Sequence, residues 1–179
     1  MKPEALAQIA VAAVASERAT GLPDVLSAAQ CALESAWLAK ASGNNCFGIK
    51  DYQDSFGRQL LTTREWFTPA QLQAFLARGD GRTAAPTGKV KGTLTEYLVK
   101  DWFATFVDLA ACFAKHALLI TTGKPYAAAW AKYLASRDVN GLIHDIAPIY
   151  ATGPAYEASV GKIIAMQSLQ QALAAARTQ

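Results

Sequence analysis

Apolar positions near the start of the chain recur every three to four residues, the spacing that lines up one face of a helix. Residues 3–18 predict a first helix, with Leu6, Ile9, Val11, Ala13 and Val14 near one side and Glu17 and Arg18 at its end. Gly21, Leu22 and Pro23 interrupt it, and Pro23 and Asp24 suit the first turn of a second helix that runs to about residue 39. Leu26, Ala29, Leu33 and Trp37 form the buried stripe of that helix; Glu34 flanks the stripe and Gln30 lies one turn before it. After Lys50 the helical period stops, and residues 51–64 read as polar and turn-like. Thr68, Pro69, Ala70 and Gln71 make a capping box with proline at the first helical position, predicting a short helix over 69–77. Residues 78–92 hold four glycines and a proline and read as a loop. TLTEYLV, residues 93–99, alternates in the manner of a strand, and Asp101 and Trp102 are placed to turn it back into a second one. Helical spacing resumes at about residue 106, with further helices from Pro125 to about Ser136, from Asp138 to about Ala147, and over 155–175.

Composition narrows the class. The chain has 179 residues, 52% hydrophobic and 17% charged, which supplies a real core and excludes a disordered chain. A net charge of +3 without a Lys/Arg cluster gives no basis for nucleic-acid binding, and no apolar run is long enough to span a membrane. Lys2 followed by LAQIAVAAVA has the outline of a signal peptide, but Glu4 sits in its basic region and the stretch is read as the first helix. Cys31, Cys46 and Cys112 are widely spaced, form no CxxC pair and read as small buried thiols, with a single disulfide left open. His116 and His144 lack ligand spacing, so neither a metal nor a cofactor is expected. Neither a phosphate-binding glycine loop nor a GxSxG elbow is present.

The candidate chemistry lies in AQCALESAW, residues 29–37, followed by NNCFGIK, residues 44–50. A carboxyl group at the apolar edge of a helix, as Glu34 is here, keeps its proton near neutral pH, which is what a donor to a glycosidic oxygen needs. GLPDVLSAAQCALESAW, NNCFGIK, TEY and IYATGPAYEASVGKII occur in an order that resembles the glucosaminidase domain of glycoside hydrolase family 73, bacterial and phage enzymes that cut peptidoglycan glycan chains. The resemblance covers residues 4–173, with the middle, about 51–91, matching least. It implies a mainly α (α+β) lysozyme-like domain over residues 1–179, with a small β-hairpin lobe and an inserted region within 51–105 lining a substrate groove.

It implies Glu34 as general acid and Glu96, in Thr-Glu-Tyr, as a second carboxylate activating water, with Glu65 the rival position. It places Tyr150 by the cleaved sugar, bonding to its 2-acetamido group or to Glu34, and Asn44 and Asn45 at a turn that shapes the cleft or contacts sugar; Phe47 and Trp37 read as core. Ala36 and Leu38 stand where the family commonly has glycine, and Gly153 where it commonly has aspartate. The activity implied is cleavage of the β-1,4 bond after N-acetylglucosamine in peptidoglycan by a monomer without cofactor, acting on the cell wall as a phage or prophage endolysin or after export by a non-classical route. A separation of about 6.5–9.5 Å between the two carboxylates implies inversion, and a remote second carboxylate implies attack by the substrate's own acetamido group. The competing readings are a lysozyme-like muramidase or lytic transglycosylase, and an inactive wall-binding or assembly protein.

Overall fold

A computed structural model describes residues 2–51, 57–151 and 155–179. The departure from the family pattern at Gly153, and part of the segment read as turn-like, lie outside the described residues. The chain divides into two compact units, Met1–Gly48 with Phe106–Gln179, and Ile49–Thr105.

The first unit is helical. It comprises α1 (Pro3–Thr20), α2 (Asp24–Ser35), and, beyond the second unit, α4 (Leu109–Thr122), α5 (Ala127–Ser136), α6 (Val139–Tyr150), α7 (Tyr156–Ile164) and α8 (Gln167–Arg177). Gly21 ends α1 in the left-handed region, φ 78°, where the lack of a Cβ removes the steric cost, and its N–H donates to the Glu17 carbonyl. Asp108 caps α4 by accepting from the Ala111 N–H at 2.8 Å. The core is assembled from Ile9 of α1, Leu26 of α2, Phe113 and Ile120 of α4, Leu142 and Ile146 of α6, and Leu169 and Leu173 of α8, with Leu22 between α1 and α2. Each buried side chain of this size stabilises by about 1.5–3 kcal/mol. Asp24 opens α2 with its carboxylate buried, and Arg177 near the end of α8 grips it with two hydrogen bonds of 2.8 Å.

Three local expectations change. Val11 lies 48% exposed, off the buried face of α1, and Val107, 87% exposed, precedes α4 rather than opening it. Helix α2 stops at Ser35 rather than near residue 39. The last helix is two helices, because the chain turns at Ala165 and Met166, where the Met166 N–H donates to the Ile163 carbonyl at 3.0 Å.

The second unit holds β1 (Gly57–Phe67), α3 (Pro69–Leu76), β2 (Thr83–Lys91) and β3 (Leu94–Thr105). The expected two-stranded hairpin is a three-stranded antiparallel sheet in the order β1-β3-β2. The strand read at 93–99 is the first half of β3, which runs straight through Asp101 and Trp102 instead of turning there. Its register sets Trp66 opposite Glu96 and Glu65 opposite Tyr97. Pro86 sits on edge strand β2, where a missing N–H is tolerated. Helix α3 carries the expected capping box, Thr68 and Gln71 exchanging side-chain and backbone bonds.

The buried face of β3 is partly ionic. Asp101, wholly buried, bonds to Arg82 Nε at 2.7 Å and lies 3.0 Å from Lys50 Nζ, and Lys50 also reaches Glu65 at 2.6 Å. Burial alone raises the Asp101 carboxyl, but Lys50 and Arg82 outweigh it and hold the group below the usual range.

Candidate active site

Glu34 lies in the last turn of α2, exposed to solvent at its edge. The turn that follows is built by Ser35. Its buried hydroxyl donates to the Cys31 carbonyl at 2.6 Å and accepts from the Leu38 N–H at 2.8 Å, while the Trp37 N–H donates to the Ala32 carbonyl at 3.0 Å. Ala36, Trp37 and Leu38 all sit in the left-handed region, φ 50°, 60° and 67°. A run of three such non-glycine residues costs about 1–2 kcal/mol per residue. Two of them, Ala36 and Leu38, stand where the sequence resemblance implies glycine, the residue that adopts this region without steric cost.

Although Glu34 touches solvent, the protein around its carboxyl strips away enough water to raise its pKa above the ordinary carboxylate value. The partial negative charge at the α2 C-terminus acts in the same direction. Among the described residues no cation pairs with it. The result is a carboxyl whose proton is held more firmly than an ordinary glutamate's and which can still be reached from water.

Beside Glu34 the helical unit stacks a row of aromatic rings. Gln30, buried one turn before Glu34, donates through Nε2 to the Tyr156 hydroxyl at 2.8 Å. Tyr156 stacks on Tyr150 with ring centres 5.5 Å apart; Tyr150 meets His116 edge-on at 5.8 Å; His116 stacks on Phe47 at 3.8 Å. Burial, and then neighbouring groups that include each other and Glu34, push the Tyr150 hydroxyl well above its usual range; burial and Glu34 raise Tyr156. Both hydroxyls therefore keep their protons at any working pH. His116 is fully buried, its two ring nitrogens have no partner among the described residues, and burial lowers it to about 3, so the ring is neutral. Nothing in the sequence around His116 marked it as a neighbour of Tyr150; only the packing of α4 against the loop at Phe47 reveals that.

Asn44 is exposed and left-handed, φ 58°, and its amide donates to the carbonyls of Phe106 and Val107 at 2.9 and 3.2 Å. Asn45 is buried. The amide of Asn44 thus holds the loop to the start of α4, and Phe47 packs in the core as expected.

Glu96 lies on β3 of the second unit, its side chain 8% exposed. The Thr87 hydroxyl donates to Oε2 at 2.7 Å, and Lys89 and Arg64 lie 3.4 and 3.8 Å away. The Thr87 bond first, then the two cations, lower its pKa, so Glu96 is an anion. Glu65 is engaged by Lys50. The pKa of Glu34 is thus pushed up and that of Glu96 down.

Comparisons with known proteins bear on the fold and the family. A sequence search against curated proteins finds no significant match. Among solved structures, the fold is similar to a peptidoglycan hydrolase from Sphingomonas sp. A1, at 18% identity and TM-score 0.65, covering 99% of this chain and 97% of that one. It is similar to the catalytic domain of the autolysin Auto from Listeria monocytogenes, at 19% identity and TM-score 0.64, covering 94% and 85%. A C-terminally truncated glycoside hydrolase domain of FlgJ from Salmonella typhimurium superposes at 19% identity and TM-score 0.62, covering 94% and 97%. The family profile described as glucosaminidase, mannosyl-glycoprotein endo-beta-N-acetylglucosaminidase, matches residues 10–169, and the chain therefore belongs to the glucosaminidase family, glycoside hydrolase family 73.

Proposed function

We propose that the protein hydrolyses the β-1,4 bond after N-acetylglucosamine in peptidoglycan, with Glu34 as the general acid. The observation that carries this reading is the solvent-reachable Glu34 carboxyl, whose pKa partial desolvation raises. Family membership supports the bond type, and the solved neighbours described as peptidoglycan hydrolase and autolysin support the polymer. In this scheme Glu34 gives its proton to the leaving glycosidic oxygen as the bond breaks and the sugar becomes oxocarbenium-like. The Tyr150 hydroxyl, protonated throughout, donates to the 2-acetamido group or to Glu34. Glu96, the ionised carboxylate, takes the proton of the attacking water. Asn44 and Asn45 keep the loop beside α4 in the shape that the sugar chain meets. The working place is the bacterial cell wall; among the described residues no helix is long and apolar enough to cross a membrane.

Digestion of purified peptidoglycan by wild type and Glu34→Gln in parallel tests the assignment. Wild type is expected to release fragments with reducing N-acetylglucosamine ends, seen by mass spectrometry after borohydride reduction, and the variant none. Fragments ending in 1,6-anhydro or reducing muramic acid would replace the bond assignment with a transglycosylase or muramidase. Binding to the polymer without release of fragments would leave a wall-binding protein.

A further inference from the structure

Cys46 and Cys112 lie apart in sequence and together in space. Cys46 belongs to the loop that carries Asn44, Asn45 and Phe47; Cys112 lies in the first turn of α4, on its buried side. Their sulfurs are 3.7 Å apart, in thiol hydrogen-bond contact, and both side chains are buried, 1% and 0% exposed. We propose that this pair is a disulfide-forming site, closed by a small disulfide oxidant during folding, which ties the Asn44–Asn45 loop covalently to α4.

Forming the bond needs the sulfurs to close from 3.7 Å to the bonding distance of about 2.05 Å. The two thiols are not equivalent. Burial and the neighbouring Cys112 and Cys31 thiols hold Cys46 protonated, while the hydrogen bond from Cys46 favours Cys112 as the thiolate of the pair. Written with Cys112 reacting first, the step is a thiol–disulfide exchange with oxidised glutathione. The Cys112 thiolate attacks one sulfur of oxidised glutathione, forming a mixed disulfide and expelling one glutathione. Cys46 then attacks the Cys112 sulfur of that mixed disulfide, forming the Cys46–Cys112 bond and expelling the second glutathione. The two thiol protons leave on the two glutathione molecules, which carry the two electrons. Since both cysteines are buried once folded, the reaction belongs to the folding chain or to its local opening. No three His, Cys, Asp or Glu side chains among the described residues are arranged to hold a metal ion, so oxidation rather than ligation is the chemistry that the pair supports.

The loop at Asn44 is already tied to α4 by the Asn44 bonds to Phe106 and Val107. The disulfide adds a covalent tie that closes a loop of 66 residues, long enough to restrict the unfolded chain substantially. The inference stands whichever glycosidic bond the protein cuts.

The test is refolding of the full chain from denaturant in a glutathione redox couple, with a second sample of native protein held with oxidised glutathione in sub-denaturing urea. Alkylation in denaturant then counts free thiols, and non-reducing peptide mapping locates any link. The expected result is a fall from three free cysteines to one, Cys31, with a linked peptide joining Cys46 and Cys112. The oxidised protein should melt on the order of 5 °C or more above its reduced form, and Cys112→Ala should lose both the link and the shift. Three alkylated cysteines in both samples, a link through Cys31, or oxidation that lowers the melting temperature would each overturn the proposal.

Discussion

Glutamine at position 34 keeps the size and hydrogen-bonding reach of the side chain and removes only its acidity, which makes Glu34→Gln the sharpest single change. General-acid catalysis contributes about 10²–10⁴-fold, so turnover on peptidoglycan should fall by at least ~10²-fold in a protein with an unchanged circular dichroism spectrum. The pKa shift adds a second expectation. Folding raises the Glu34 pKa, so the penalty for ionising it in the folded state is absent below the unfolded value of 4.5 and grows as pH rises through the folded value. Glu34→Gln escapes that penalty and should be at least as stable as wild type at pH 7 by urea denaturation; a less stable variant would contradict a desolvated Glu34 with a raised pKa. His116 has the opposite shift. Its folded pKa is about 3 against 6.5 when unfolded, so as pH falls from 6.5 toward 3 the unfolded chain gains a proton that the folded one refuses. Stability is complete above that window and is lost within it by up to ~1.4 kcal/mol per pH unit. His116→Phe, which can preserve the stack on Phe47, should flatten the stability profile between pH 6 and pH 4, whatever its absolute stability. Parallel profiles for the two proteins would contradict the buried, neutral ring.

The element most exposed to improvement is the turn after α2. Ala36 is exposed and left-handed, so glycine there removes the Cβ strain and loses almost no buried surface. Ala36→Gly should stabilise by about 1 kcal/mol, read as a melting temperature about 2–4 °C higher. No gain would mean that the turn relaxes without cost. The sequence had marked this spot only as missing glycines; that they were missing from a left-handed turn is a property of backbone angles, which composition does not display. Other elements were legible in proportion to how much each one buries. Helices α1, α2, α4 and α6 hide one face, and their apolar spacing announced them. Central strand β3 buries Val99 and Asp101 on one face and Glu96 on the other, although two of those three are charged. Edge strands β1 and β2 bury almost nothing, so GRQLLTTREWF and TAAPTGKVK carry no period and read as turn and loop. The division of the last helix at Ala165 and Met166 was illegible for a related reason: neither residue is a breaker, and the turn there comes from packing. Within the candidate site, Glu34 was readable from its motif and its place beside an apolar stripe. The row of rings from Tyr156 to Phe47 joins three distant segments and could be seen only in three dimensions.

At the scale of the whole chain, the helical unit is made from both halves of the sequence, with residues 49–105 inserted between them. The arrangement around the insertion points predicts that the helical unit does not depend on the insert to fold. The chain leaves and returns as an antiparallel pair: the Ala104 N–H donates to the Ile49 carbonyl at 2.9 Å and the Asp51 N–H to the Trp102 carbonyl at 3.1 Å. Just inside the helical unit, the Phe106 N–H donates to the Gly43 carbonyl at 2.9 Å, and Asn44 holds Phe106 and Val107. The first two bonds belong to the insert, but those of Gly43 and Asn44 to Phe106 and Val107 belong to the helical unit and hold its two chain segments close at the insertion point, the condition under which domain insertion and excision are tolerated. Its large core side chains, Ile9, Leu22, Leu26, Phe113, Ile120, Leu142, Ile146, Leu169 and Leu173, all come from outside the insert. Closing a short flexible linker across such a gap costs little more than the loop it replaces, because the entropy of closure grows only with the logarithm of length. A variant with residues 50–104 replaced by a short glycine-serine linker should therefore keep a helical spectrum and a single cooperative thermal transition. It should also lose hydrolysis of peptidoglycan, because Glu96 leaves with the insert while Glu34 remains. A molten or aggregated product would show that the sheet is part of the folding unit, and full activity would remove Glu96 from the chemistry.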